Sequence, residues 1–377
     1  MNNMLEGIRV IEIGSNVAAP FGGRILADLG ADVIKIEKPD GGDDVRRMGP
    51  PFHDGDALAF HTMNVNKRSV TADLKDSIGF DSVVNLIAGA DVVLHNLRPG
   101  IAERIGLGAD TLRKRYPRLI HATVTAFGSK GPMAMRPGYD LLMQAYSGFM
   151  SATGDEDGPP TRAGPSVVDI STGMWAAIGI LGAIVRRDRT GEGSTVECSL
   201  YESAVTFTSV YVADYLAAGV QPSRSRDGHP KLSPYQSFPT RNGHLIVAVG
   251  NDGLFRRLAQ LLGHPEWCDD PRFSSNASRV AHRRVLESLI APHLADADTD
   301  EWERRLDAAA IPFAPVNTIE DVVRSPQTNA LGLIVPSGGP GDPRIVALPL
   351  LFDGERPSIN RPAPAAGQHT DECISRL

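Results

Sequence analysis

Along the first half of the chain, short apolar runs alternate with segments whose apolar residues recur at helical spacing. Ile8 to Ile13 (IRVIEI) reads as a strand ended by Gly14. The turn Ser15-Asn16-Val17-Ala18-Ala19-Pro20 leads into a helix through Arg24, Leu26 and Leu29, closed by Gly30. Asp32 to Lys38 (DVIKIEK) is the next strand, stopped by Pro39. A strand–helix–strand crossover implies a parallel pair. The alternation then repeats, with strands at 69–74, 91–94 and 119–125 and helices near 82–87 and 112–116. This pattern predicts an α/β fold with a Rossmann-like, doubly wound large domain. No G-x-G-x-x-G follows the first strand, so the dinucleotide fingerprint is missing. Residues 39–65, rich in Gly, Pro and Asp, read as a long functional loop.

Further on, Tyr139-Asp140 opens a helix running through Met150, and residues 151–166 read as loop. A long apolar helix follows from Asp169 to about Arg187, then a strand at 194–199 and a helix at 202–216. From Gln221 to Pro239 the composition turns to Ser, Pro and Arg, which suggests a linker into a smaller α+β domain. There we expect a strand at 244–249, helices at 254–262, 279–293, 300–309 and 319–324, and an extended edge at 311–316 limited by Pro312 and Pro315. The expected organisation is a large domain over 1–220, a small domain over 221–325, and a return segment, 326–377, completing the large domain.

Composition changes this picture little. The 377 residues suit two domains. A formal net charge of −7 argues against nucleic acid as partner. Cys198, Cys268 and Cys373 are far apart and lack CxxC spacing, which fits a reducing cytoplasm and neither zinc nor disulfides. No signal-like start is apparent, and the apolar run Gly173 to Val185 is shorter than a bilayer span, so no membrane role is expected. The ten histidines show no HExxH or paired ligand spacing, so no metal site is expected either.

The candidate chemistry lies in acids at helix starts. Asp169 stands at the mouth of the apolar helix, where an Asp can cap the free N–H groups and where the helix dipole favours its ionised form. Asp140 stands at another helix start and has the same bland reading, an N-cap. A carboxylate can also serve as a covalent nucleophile, and a pair of acids can divide roles when their environments differ. Lys38, Lys67, Arg98 and Arg104 lie near strand-end loops. Around one crevice they would suit an anionic, nucleotide-like ligand. There is no G-x-S-x-G elbow and no G-x-x-x-x-G-K-[ST] loop.

Motifs along nearly the whole chain then carry a resemblance. They are LADLGADVIKIEKP (26–39), NKRSVTADLK (66–75), NLRPGIAERIGL (96–107), FGSKGP (127–132), DISTGMWAAIGIL (169–181), GEGSTVECSLYESA (191–204), IPFAPVNTIEDV (311–322) and GQHTDE (367–372). In this order they resemble the class III CoA-transferases, the CaiB/BaiF group that includes formyl-CoA transferase and is sister to the 2-methylacyl-CoA racemases. The resemblance implies ring-shaped subunits forming an interlocked homodimer. It implies coenzyme A and acyl-CoA as substrates, a carboxylic acid as the other partner, and no permanently bound cofactor. It places the nucleophile on Asp169, a second active-site acid on Asp140 beside Tyr139, and CoA contacts on Val17, Ala18, Lys38, Asn96, Leu97, Arg104 and Ile105. The implied mechanism passes through aspartyl anhydrides and an aspartyl-CoA thioester.

The departures from the family pattern are informative. Where formyl-CoA transferases line a small-acid pocket with glutamine, tryptophan and tyrosine, this chain has Val17, Met48 and Ala59, which predicts an acyl group larger than formyl or oxalyl. Only Gly228 stands where those enzymes carry a glycine run. Lys38 replaces an arginine that packs on adenine, and an ammonium stacks less well than a guanidinium. The alternative reading is a 2-methylacyl-CoA racemase. Racemases have a His-Asp dipeptide where this chain has Tyr139-Asp140, and a phenol with an ordinary pKa of about 10 is a poor replacement for imidazole as an acid–base. A third reading, a CoA-binding protein without catalysis, leaves the intact surroundings of Asp169 unused.

Overall fold

A computed structural model describes residues 4–374. The chain divides into two compact units: residues 1–149, 163–210 and 326–377 form the larger, and 150–162 with 211–325 the smaller. The expected boundaries put 150–162 and 211–220 in the large domain, and both are reassigned. Side chains and backbone from the smaller unit hold them. Arg224 donates to the carbonyls of Asp155 and Gly158, Arg226 N–H donates to Gly154 O, and Lys231 pairs with Asp214 at 2.8 Å.

The larger unit is built on β1 (Arg9–Ile13), α1 (Ala18–Asp28), β2 (Asp32–Glu37), β3 (Arg68–Thr71), α2 (Ser77–Ala88), β4 (Val92–His95), α3 (Ala109–Arg115) and β5 (Ile120–Thr125). It continues through α4 (Asp140–Tyr146), α5 (Val167–Thr190), β6 (Thr195–Ser199) and α6 (Leu200–Phe207). The six strands form one parallel sheet in the order β3-β2-β1-β4-β5-β6. The order reverses between β1 and β4, and ligands of open parallel sheets bind in the crevice beyond such a switch point.

The strands are buried on both sides, so alternate residues feed two cores. Val10, Val33, Val92, Leu94, Ile120 and Ala122 face α1 and α5, whereas Ile11, Ile13, Ile34, Ile36, Val70 and Val93 face α2 and α3. Glu12 breaks the apolar pattern on the α1 side and is fully buried. It pairs with Lys35 at 3.0 Å and Lys67 at 2.8 Å, and both lysines are fully buried too. Burial opposes the charge of Lys35, but the Glu12 and Asp43 carboxylates hold it above the usual lysine range. Burial wins at Lys67 and lowers it to about 8.

Several expectations change here. Residues 39–65 are not one loop: they hold a short helix at Asp44–Arg47, a hairpin of Phe52–His53 with Asp56–Ala57, and a helix at Leu58–Asn64. Arg46 ties this region together through Glu37 at 2.7 Å and Asp56 at 2.5 Å. The helix expected at 202–216 breaks at Thr208, and the linker at 221–239 contains the strand Tyr235–Pro239. At 24 residues, α5 is long and apolar enough to span a bilayer by composition. Its Val168, Thr172, Ala176, Ile180 and Ala183 are nonetheless packed into the larger unit, and Arg187 is anchored to Asp91 at 2.7 Å.

The smaller unit has its own core. A three-stranded antiparallel sheet, with Phe313–Pro315 at one edge, packs Leu245 and Val247 against Phe255, Leu286, Ile290 and Trp302.

Candidate active site

The carboxyl ends of β1 to β4 frame a cavity of about 650 Å³ whose lining includes Ser15, Lys38, Lys75, Asn96, Leu97 and Arg98. Its floor is the turn after β1. Asn96 clamps that turn from β4, accepting from Ser15 N–H at 3.0 Å and donating to Ser15 O at 2.9 Å. Lys35 donates to Gly14 O at 2.6 Å and Asp43 accepts from Asn16 N–H at 3.1 Å. Asn16 takes a left-handed φ of 63°, a conformation Asn tolerates better than most residues. The turn is therefore held from three sides.

Helices α1 and α5 lie side by side and run in the same direction. A Cβ on Gly173 would come within 2.6 Å of Ala18 O, and one on Gly22 within 3.0 Å of Gly173 O and 3.5 Å of Ala176. Only glycine permits this approach. Asp169 is one helical turn before Gly173 on the same face, level with the Gly14–Val17 turn and thus at the carboxyl end of the sheet.

Asp169 is not the cap of its helix. The helix begins two residues earlier than expected, at Val167, which puts Asp169 third within it, and the N-cap Ser166 makes no side-chain bond. The cap comes from elsewhere. Oδ2 of Asp140 accepts the N–H of Val168 at 2.8 Å and of Asp169 at 3.2 Å, satisfying two free donors of α5 across the chain. Oδ1 of Asp140 accepts from Gln144 Nε2 at 2.5 Å, and Gln144 Oε1 accepts from Ala163 N–H at 2.9 Å. Asp140 is likewise not the cap of its own helix, whose N-cap is Tyr139.

This arrangement leaves the carboxylate of Asp169 with no hydrogen bond among the described residues. Burial raises its pKa first, and the neighbouring Asp140 charge adds to that, bringing it to about 7. The expectation of a fully ionised Asp169 is therefore corrected: the helix dipole that would favour the anion is already engaged by Asp140.

The remaining expected residues divide. Lys38, Asn96 and Leu97 line the crevice. Lys38 is held by Asp44 at 2.5 Å. Val17 is the half-buried N-cap of α1, Ala18 is buried beneath Gly173, and neither reaches the crevice wall. Arg104 is exposed at the end of a short helix, Ile101–Arg104, and Ile105 packs on the α2–α3 core. These two also lie off the wall. Lys67 is not an anion-binding group at all, since it is sealed with Glu12. Tyr139 is exposed, and its phenol bonds to neither acid. Met48 and Ala59 are exposed. Sequence reasoning missed Gln144 and Lys75. An amide one helical turn after Asp140 was the available signal for Gln144.

A parallel sheet in this order, with a crevice at its switch point lined by both acids and bases, defines an α/β protein of the kind that binds its ligand beyond the carboxyl ends of its strands. The family described as CoA-transferase family III matches residues 5–370, and the chain belongs to that family. It is an enzyme of that class, for which an acyl-CoA and a carboxylate are the substrates. The chain is 39% identical to "Succinate--glutarate CoA-transferase" of Agrobacterium fabrum, over 99% of this chain and 95% of that one. It is 36% identical to "Acetyl-CoA:oxalate CoA-transferase" of Acetobacter aceti, over 90% and 88%. Among solved structures, a CAIB/BAIF family protein from Brucella suis superposes with a TM-score of 0.91, at 36% identity and 100% coverage of each chain.

Proposed function

We propose that the protein moves CoA between an acyl-CoA and a carboxylic acid of the succinate or glutarate class, with Asp169 as covalent carrier. One observation carries this reading: Asp140 takes over the helix end, so the Asp169 carboxylate, at the carboxyl end of the sheet, has no hydrogen bond among the described residues. A carboxylate whose pKa is near 7 is more nucleophilic than an ordinary one and still substantially ionised at neutral pH.

In the first step an oxygen of Asp169 attacks the thioester carbonyl carbon. The C–S bond breaks, CoA leaves as thiolate, and a mixed anhydride remains. The thiolate then attacks the Asp169 carbonyl carbon and expels the donor carboxylate, giving an aspartyl-CoA thioester. The acceptor carboxylate displaces CoA to form a second anhydride. CoA thiolate attacks the acceptor's carbonyl, and Asp169 leaves as carboxylate. Each step exchanges a carboxylate for a thiolate or the reverse, one anion entering as another leaves, so no proton is gained or lost overall. Asp140 and Gln144 hold the helix end through these changes. Lys38, Asn96 and Leu97 form the CoA-binding wall of the crevice, and Val17, Ala18, Arg104 and Ile105, which lie off that wall, belong to the turn after β1 and the segment 97–107 that carry it.

The acid class follows from the 39% identical relative, whose name specifies succinate and glutarate. A dimer is part of the proposal. Met174, Trp175, Ile178 and Val185 form an exposed apolar stripe on α5, opposite its packed face, and a helix apolar on both faces calls for a second cover. The test is a panel of carboxylic acids offered to the purified enzyme with succinyl-CoA, read by mass spectrometry of the new thioesters. Glutarate and close homologues should be used far faster than oxalate or formate. Preference for oxalate would refute the acid class.

A further inference from the structure

The α2–α3 face of the sheet, otherwise lined by Ile11, Ile13 and Val93, also carries three polar groups that the proposed chemistry does not use: the buried His95 and His121 and the half-buried Thr123. His95 and Thr123 are register partners on β4 and β5, and His121 is two residues before Thr123, so all three project to one face. Polar groups at such positions are costly unless bonded, and these bond to one another. Nε2 of His95 lies 3.1 Å from Thr123 Oγ1, which lies 3.5 Å from Nδ1 of His121.

The two ends of this chain determine its direction. At one end is an obligate donor, Leu97 N–H, 3.3 Å from Nδ1 of His95. At the other is an obligate acceptor, Leu107 O, 3.0 Å from Nε2 of His121. Leu97 N–H requires an unprotonated Nδ1 on His95, so Nε2–H of that ring donates to Thr123. The Thr123 hydroxyl donates to Nδ1 of His121, whose Nε2–H donates to Leu107 O. Neutral rings, each protonated at Nε2, satisfy every link. Burial keeps both rings below the usual histidine range, His95 at about 3.

Leu97 and Leu107 are the two feet of one excursion from the sheet. Between them lie Arg98, the short helix Ile101–Arg104, and Ile105. We propose that His95, Thr123 and His121 are positioning residues that staple the base of segment 97–107 and so set the affinity of the enzyme for the CoA moiety. The inference rests on the reading of this segment as a CoA contact. It does not rest on Asp169 as nucleophile, because its test needs no turnover.

The test is calorimetric titration of the full-length enzyme with CoA itself, alongside steady-state kinetics. Thr123→Val removes both central links without changing side-chain volume. It should weaken CoA binding and raise the KM for acyl-CoA by about tenfold, with kcat at saturation close to wild type. Thr123→Ser keeps the hydroxyl and should restore binding to within about twofold. Unchanged CoA affinity in folded Thr123→Val, or a loss confined to kcat, would overturn the proposal. Should Thr123→Val fail to fold, the wild-type enzyme still decides. Nitrogen-15 spectra should show both rings protonated at Nε2 and bare at Nδ1 at neutral pH, with His95 still so at about pH 5, below the ordinary imidazole pKa. A protonated Nδ1 on either ring at neutral pH contradicts the chain.

Discussion

The carboxylate of Asp140 accepts the backbone N–H of Asp169 at 3.2 Å, from 29 residues upstream. The acid that caps the helix and the acid exposed to chemistry are thus different residues. The cap holds the helix end, while burial and the cap's own charge press the second acid toward its neutral form.

The first consequence is kinetic. If ionised Asp169 is the attacking group, kcat/KM for acyl-CoA should rise with pH and level off above about 7, the raised pKa of that carboxylate. A stopped-flow or coupled assay across pH 5–9 checks this. A profile flat down to about pH 4.5 would mean that an unperturbed carboxylate carries the reaction.

The same shift has a consequence for stability, with a definite sign. The folded-state pKa of Asp169 lies above its ordinary value of 3.8. Its contribution to folding is therefore present below about pH 4 and is lost as pH rises through 7. Asp169→Asn should unfold at a higher temperature than wild type above pH 8 and match it near pH 4. The gain is on the order of a few kcal/mol at most, reduced by the group's partial exposure. Thermal denaturation at the two pH values reads it directly.

Replacing Asp140 separates its charge from its capping. Asp140→Ala leaves the N–H groups of Val168 and Asp169 without their acceptor and should cost about 1–2 kcal/mol, together with most of the activity. Asp140→Asn retains one oxygen for those donors but sets an NH2 group against Gln144 Nε2. It also removes the like charge, so the acid limb of the pH profile should move below 7. Urea unfolding and the pH profile together distinguish the two effects.

How much of this was legible in the chain depends on the range of the forces involved. The alternation of IRVIEI, a helix and DVIKIEK is local, and the parallel sheet followed from it. Asp169 stood out for the same reason, as a lone acid against a long apolar run. Residues 39–65 read as loop because their short elements are held by distant partners, Arg46 with Glu37 and Asp56, rather than by periodicity. Lys67 read as one of four basic groups suited to an anionic ligand, yet it is buried, a fact visible only once Glu12 is opposite it. The Asp140 cap has the same character: both acids were identified, but their division of roles depends on a contact 29 residues apart.

That buried cluster makes a prediction of its own. Glu12→Gln would leave Lys35 and Lys67 short of their shared countercharge and should cost about 3–5 kcal/mol. The turn Gly14–Val17 should loosen with it, since Lys35 also holds Gly14 O. Denaturant midpoints and hydrogen exchange at residues 14–17 report the two outcomes separately.

Close packing of α1 on α5 sets the level of Asp169 along the sheet. Gly173→Ala would drive a methyl to 2.6 Å from Ala18 O, a backbone atom with little room to move. The expected cost is about 1–3 kcal/mol, with a fall in kcat as the first turn of α5 is displaced. A variant as stable and as active as wild type would mean that the helix contact does not position the site.

The covalent carrier can be caught in the act. Enzyme mixed with succinyl-CoA, quenched with hydroxylamine and digested, should yield a hydroxamate on the peptide containing Asp169, and the Asp169→Asn variant should yield none and exchange no CoA. A folded Asp169→Asn enzyme that transfers CoA at the wild-type rate, or an adduct on any other residue, would contradict the assignment.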